Sequence, residues 1–234
     1  MTVTADLTTF EECNVQVIDG TGDTDGPTNG LGNVIVGYNE EDMASRDRSG
    51  SHNIVVGREH SFASHSGLVS GYVNSILGAG SAVTGGAYNT ASGLYATITG
   101  GTYNYAFGDY STIAGGKYNV NAGYAASVAG GYFNTANGFY STVTGGGYNT
   151  ASGSGASVSG GKYNLASGDY ASVSGGQYNL ASNSYASVSG GEGNSASGSY
   201  SSVLGGQAGT ASGTWSAVLG GDSNLADDDD EIVP

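Results

Sequence analysis

Residues 160–174 read Gly160-Gly161-Lys162-Tyr163-Asn164-Leu165-Ala166-Ser167-Gly168-Asp169-Tyr170-Ala171-Ser172-Val173-Ser174. The doublet that opens this stretch returns every 15 residues, from Gly85-Gly86 through Gly160-Gly161 to Gly220-Gly221. A short fixed period is the mark of a solenoid, in which each repeat is one coil stacked on the last. The unit divides into two similar halves, Tyr-Asn-x-Ala-x-Gly-x and Tyr-Ala-x-Val-x-Gly-Gly-x. Each half alternates small or apolar residues with Ser and Thr, the period-2 pattern of a strand. Each half ends in Gly, which takes a positive φ at a corner without steric cost. The reading is an all-β fold of 15-residue coils, each with two short strands and two tight turns. A helical reading fails, because the chain's 44 glycines enter every helical window of the repeat.

Alternation assigns the side chains. Asn164, Ala166, Ala171 and Val173 point inward; Leu165, Ser167, Ser172 and Ser174 point outward. The core columns are then Val83, Ile98, Ile113 and their successors to Val218, facing an Ala column from Ala91 to Ala211. Residues this small predict a flattened roll. A parallel stack rising roughly 4.8 Å per coil carries ten such coils over roughly 50 Å. The column Asn74, Asn89, Asn104, Asn119, Asn134, Asn149, Asn164, Asn179 and Asn194 predicts a structural amide ladder along the axis.

Two aromatic columns stand at the corners. One holds Tyr88, Tyr103, Tyr118, Phe133, Tyr148, Tyr163 and Tyr178; the other holds Tyr95, Tyr110, Tyr140, Tyr170, Tyr185, Tyr200 and Trp215. An Ala, Gly and Val core has no room for these rings, so they lie outside a single roll or between rolls. Long apolar rows mark interfaces, and a thin core gains from partner chains. A parallel homotrimer is the expected closed assembly.

The pattern Asn-x-Ala-Ser-Gly-x-Tyr-Ser-x-Val-x-Gly-Gly resembles the left-handed parallel β-roll heads of trimeric autotransporter adhesins, the YadA-like head family, over about residues 53–226. The chain departs from that family in its 15-residue coil, its doubled glycine and its many tyrosines, and it shows no stalk or translocator sequence. The resemblance implies a trimer, extracellular exposure and attachment to surfaces. The Asn-x-Val-x-Gly spacing is also similar to the ice-binding β-rolls of plants.

Charge is unevenly placed in a chain of net −15. Residues 85–220 carry a net of −1, residues 1–84 a net of −8 and residues 221–234 a net of −6. An acidic chain without a basic stripe is suited neither to nucleic acid nor to anionic membranes. The single Cys13 excludes an intrachain disulfide, and a buried free thiol is expected. Met1 to Leu7 lacks the basic start and apolar run of a signal peptide, and no segment is apolar enough for a membrane helix. That suits an excised or matured fragment, or a virion fibre.

Residues 1–32 form a non-repeat segment, with a strand expected over Phe10–Ile18. Irregular coils occupy 33–84, with half-coils at Asn33–Gly37 and Asn53–Gly57 around a charged projecting loop at 38–52. The regular roll spans 85–220, and an acidic cap follows at 221–234. Catalysis has no constellation to rest on. His52, His60 and His65 are expected at the surface, and the acidic turns Asp19–Asp25 and Asp227–Asp230 are expected to be solvated rather than calcium-loaded. No cofactor or metal is assigned. Outward hydroxyl pairs such as Thr142 and Thr144, Ser157 and Ser159, and Ser172 and Ser174 form regular rows. The expected function is a non-enzymatic fibre head, spacer and attachment surface, recognising a glycan or host-surface receptor through its aromatic columns. The alternatives are an ice-binding roll using the hydroxyl rows and a subunit of an extracellular filament.

Overall fold

The computed structural model describes residues 12–40 and 45–234, and all structural statements concern these. They form 26 short strands and no helix. The first strand, Val34–Val36, joins only the fourteen-stranded parallel sheet. From Ile54 onward strands alternate between that sheet and a parallel sheet of twelve, so each of these coils contributes one strand to each sheet, and Ile232–Val233 ends the larger one. This is the β-solenoid that the 15-residue period predicts.

Register follows the sequence spacing. Val34 pairs with Ile54, Ile54 with Leu68 and Leu68 with Ala82, offsets of 20, 14 and 14 residues. From Ala82–Thr97 onward every step is 15, through Ala217–Ile232. A third, narrower ladder of single bridges runs from Tyr72–Ala87 to Gln207–Asp222 beside the glycine doublets. Inside, Val83, Ile98, Ile113, Val128, Val143, Val158, Val173, Val188, Val203 and Val218 face Ala91, Ala106, Ala136, Ala151, Ala166, Ala181, Ala196 and Ala211, all buried.

The glycines take the expected positive-φ corner role at the doublet but not at the end of the first half. The second member of each doublet has the positive φ, as at Gly161 (φ 81°). A Cβ there would stand 2.1 Å from the Gly176 carbonyl oxygen. The first member, Gly160, meets nothing within 4 Å. The glycine closing the first half, Gly168, is kept for close approach and not for φ: a Cβ would lie 2.0 Å from the Asn183 carbonyl oxygen. The remaining left-handed corners are taken by side chains, Tyr163 (φ 58°) and Tyr170 (φ 56°) in the same coil.

Four further expectations change. Residues 12–18 form no strand, and Val15, Val17 and Ile18 are exposed; Phe10 and Glu11 lie outside the described residues. Cys13 is exposed, not buried, because the segment carrying it packs on no sheet. The acidic 221–234 segment is a further coil: Leu225–Ala226 pairs with Thr210–Ala211, and Ile232–Val233 with Ala217–Val218. The loop at 38–52 projects only in part. Residues 41–44 are outside the described set, but Asn39 is buried and its Oδ1 accepts from the His60 N–H at 2.8 Å.

Candidate functional surfaces

The asparagine column is wholly buried, and its geometry is one motif repeated. The Asn164 backbone N–H donates to Asn149 Oδ1 at 3.0 Å. Asn149 Nδ2 donates to the carbonyls of Gly145 (2.9 Å) and Gly161 (3.0 Å), joining three points of two coils. The ladder therefore runs mainly from amide to backbone. A direct amide-to-amide bond occurs at Asn104 Nδ2 to Asn89 Oδ1, 3.1 Å. The column continues past Asn194 to Gly209, whose N–H still donates to Asn194 Oδ1 at 2.8 Å. Gly209 offers no acceptor to the coil beyond.

Toward the N-terminus the column passes through His60, which is fully buried and not at the surface, to Asn39, whose Oδ1 accepts from the His60 N–H at 2.8 Å. The Asn74 N–H donates to His60 Nδ1 at 3.2 Å, as the next residue's N–H does to each Asn Oδ1. That bond makes Nδ1 the acceptor, so Nε2 carries the hydrogen and donates to the Val56 carbonyl at 3.1 Å. Burial pushes the His60 imidazole below its ordinary pKa, partly opposed by the bond to Val56. Counting back 14 residues from Asn74, rather than 15, would have placed His60 in this column.

His52 and His65 lie among the first coils, partly covered. His52 Nε2 stands 3.6 Å from Asp19 Oδ1, and His65 Nδ1 stands 3.5 Å from Asp25 Oδ1. Both contacts place the acidic turn beside the first coils. Two of the turn's carboxylates are engaged within the turn: Thr21 donates to Asp19 Oδ1 through N–H (2.8 Å) and hydroxyl (2.7 Å), holding that carboxyl below its ordinary pKa, and the Asp25 N–H donates to Asp23 Oδ1 at 3.1 Å. Among the described residues no three His, Cys, Asp or Glu side chains gather as a metal site requires. A buried carboxylate that the sequence reading passed over, Glu59, is 2.9 Å from Arg58 and 3.8 Å from Arg46. This pairing ties the charged 38–52 loop to the second coil.

The acids of the regular roll also have a local task. The Leu94 N–H donates to Asp109 Oδ1 (2.9 Å), Ser154 to Asp169 (3.0 Å) and Thr214 to Asp229 (2.7 Å). Each carboxylate takes the free corner N–H of the coil before it.

Both aromatic columns lie outside the core, with their rings about half covered. In the first, from Tyr88 through Tyr103, Tyr118, Phe133, Tyr148 and Tyr163 to Tyr178, successive rings stack with centroids 4.7–5.1 Å apart. Lys117 and Lys162 lie 4.9 and 5.0 Å from the ring centroids of Tyr118 and Tyr163. The second column is interrupted at Ala125 and Gly155, then runs unbroken through Tyr170, Tyr185, Tyr200 and Trp215 at 5.2, 4.9 and 4.0 Å. Stacking covers ring faces and leaves the edges outward. The hydroxyl rows are outward as expected, with Thr144, Ser159, Ser174 and Ser189 exposed on the fourteen-stranded sheet.

No family model matches this chain, and no curated protein matches it.

Proposed function

We propose that the chain is a non-enzymatic structural and adhesive rod, a fibre head carried outside the cell or on a virion. It acts as a rigid spacer and presents an attachment surface, with three parallel copies side by side. The observation that carries this reading is the unbroken 15-residue register from Ala82 to Val233. The Val or Ile column, the Gly doublets and the outward hydroxyl positions recur at the same height coil after coil, while the aromatic corners vary, so the molecule offers long repeating faces. A stack in which each coil contacts only its neighbours gains stiffness from ladder hydrogen bonds at every step. Receptors suited to these faces are glycans or host-surface molecules meeting ring edges and neighbouring hydroxyls.

Sedimentation equilibrium tests the assembly: a mass of three chains is expected, and a lone monomer at micromolar concentration counts against the trimer. Glycan-array binding tests the attachment role, and silence there leaves a spacer. The outward hydroxyl rows from Thr142 and Thr144 to Ser187 and Ser189 favour one second reading, an ice-binding face. Thermal hysteresis near freezing, lost on replacing Thr142 and Thr144 by Lys, would put that reading first. The filament alternative requires end-to-end contact, which the acidic first coils and the acidic last coil oppose through like-charge repulsion.

A further inference from the structure

The outer corner of the second half-coil changes character along the roll. Between residues 90 and 140 it carries Tyr95, Phe107, Tyr110, Tyr124, Phe139 and Tyr140. Five of these side chains touch in a connected group. Tyr95 stacks on Tyr110 at 5.5 Å, Tyr110 meets Tyr124 edge-on at 5.5 Å, and Tyr124 contacts Phe139 (5.7 Å) and Tyr140 (5.9 Å). Phe107 lies on the same coil as Tyr110 and stacks separately on Tyr105 at 5.7 Å. Further along the roll, the columns that hold Phe107, Tyr124 and Phe139 turn polar: Ser152, Ser167 and Ser182 in one, Ser154, Asp169 and Ser184 in the other.

We propose that this aromatic corner, and not the full length of both ring columns, is the surface through which a second copy of this chain docks. The proposal rests on the homo-oligomer reading above and narrows it to one place. Three observations select a second copy as the occupant. The first is area. The six rings are 38–62% exposed. An aromatic side chain buries about 150–250 Å² when fully covered, so the rings present roughly 600 Å², near the roughly 800 Å² that a stable interface takes from each partner. The second is charge. Asp109 and Lys117 are the only charged side chains in residues 90–140 and cancel in net charge, and Asp109 Oδ1 is already engaged by the Leu94 N–H. The patch is thus neutral ground in a strongly acidic molecule, where two copies approach with least repulsion. The third is ring direction: Tyr110 with Tyr124 and Tyr124 with Tyr140 meet edge to face, and Gly155 leaves Tyr140 without a stacking ring on the coil after it, so the corner offers both ring edges and an open ring face to like rings. Two parallel rolls share one coil spacing, so each aromatic coil meets its own equivalent.

The test uses replacements that the roll already carries in the same columns: Phe107→Ser, Tyr124→Ser, Phe139→Ser and Tyr140→Gly together. Ser occurs in those columns at Ser152 and Ser154, and Gly at Gly155, so the coil geometry is retained. The control is Tyr170→Gly with Tyr185→Gly on the polar half. Far-ultraviolet circular dichroism checks the fold, and sedimentation equilibrium reads the mass. The expected result is an oligomeric parent, an oligomeric control, and a folded fourfold variant that dissociates about 100-fold more readily, the scale of losing an interface hot spot. An oligomeric fourfold variant overturns the patch and leaves the homo-oligomer standing. A monomeric parent overturns both. Should the fourfold variant unfold, the single change Phe139→Glu, on an exposed side chain, decides: undiminished association refutes the proposal.

Discussion

Replacing Asn149 by Ala removes one step of the ladder without touching the outer surface. The Asn164 N–H then loses its acceptor in a fully buried position, and the Gly145 carbonyl loses its donor. The Gly161 carbonyl keeps a partner, because the Gly147 N–H donates to it at 3.0 Å. A buried unpaired donor costs about 1–3 kcal/mol and a lost ordinary hydrogen bond about 1 kcal/mol, so the expected loss is about 3 kcal/mol. In a solenoid that loss is local, because each coil rests on its neighbours. Urea unfolding followed by circular dichroism gives the magnitude, and amide exchange gives the place: protection should fall first around Asn164. Asn137→Ser, an outward position in a column otherwise rich in Ser, should change stability by less than about 0.5 kcal/mol. A loss under about 1 kcal/mol for Asn149→Ala, or a loss of protection spread evenly over all coils, would refute the ladder as the main polar support of the roll. Gly209 already breaks the column, so the Asn224 amide should exchange faster than that of Asn164 in the parent chain.

The two glycines of a doublet should respond in opposite ways. Gly161→Ala places a Cβ 2.1 Å from a carbonyl oxygen at positive φ and should cost more than about 3 kcal/mol, whereas Gly160→Ala meets open space and should stabilise by about 0.4–1 kcal/mol, both read from urea midpoints. The lowered pKa of His60 fixes the sign of a pH effect. The unfolded chain binds the proton more tightly, so this contribution is complete above about pH 6.5 and falls away as pH drops toward the folded value. His60→Asn, which keeps the acceptor of the column, should flatten the dependence of Tm on pH in that window; an unchanged slope would refute the assignment. Tyr163→Gly should relieve about 1–2 kcal/mol of left-handed backbone strain yet lose two stacks, at 4.8 and 4.9 Å, worth about 0.5–1.5 kcal/mol each. A thermal shift near zero is the expected balance, and a loss of more than about 3 kcal/mol would show that the ring supports more than its neighbours.

Period and alternation carried most of the architecture. Val173 and Ala166 face each other inside because strand alternation admits one inward set, and the 15-residue spacing can close only as a parallel register. Periodicity gives a residue's place in the coil but not its dihedral angles. That is why Gly168 reads like Gly161 in sequence although one avoids a neighbour's carbonyl and the other supplies a positive φ. The same limit hid the task of Asp109 and Asp169, which pattern reading counts only as charges, although each accepts a corner N–H from the coil before it. His60 and Glu59 were hidden for another reason. They sit in the coils of 14 and 20 residues, where a column counted at 15 loses its place. Cys13 shows the remaining gap, since composition makes cysteine a core residue while its segment packs against no sheet.

The left-handed tyrosines bear on what the rings are for. Gly is the easy residue at such a φ, and the roll uses it at Gly155 and Gly193 without breaking register. Gly therefore fits the corner, and corner geometry alone gives no reason for an aromatic residue. Yet Tyr occupies the position at Tyr148, Tyr163, Tyr170, Tyr178, Tyr185 and Tyr200, each with φ between 56° and 60°. A bulky side chain held repeatedly in a strained conformation implies an offsetting interaction made outside the backbone. Stacking along the column supplies part of it, since the Tyr170 ring lies where a Cβ on Gly155 would stand, 2.8 Å from its nearest ring carbon. Stacking alone does not account for Tyr140, which has no ring on the coil after it because Gly155 follows, and which remains among the most exposed rings of the molecule. A ring at that corner is strained, uncovered on one side and beside Phe139 and Tyr124, so under the docking proposal Tyr140 is the ring whose removal should weaken association most.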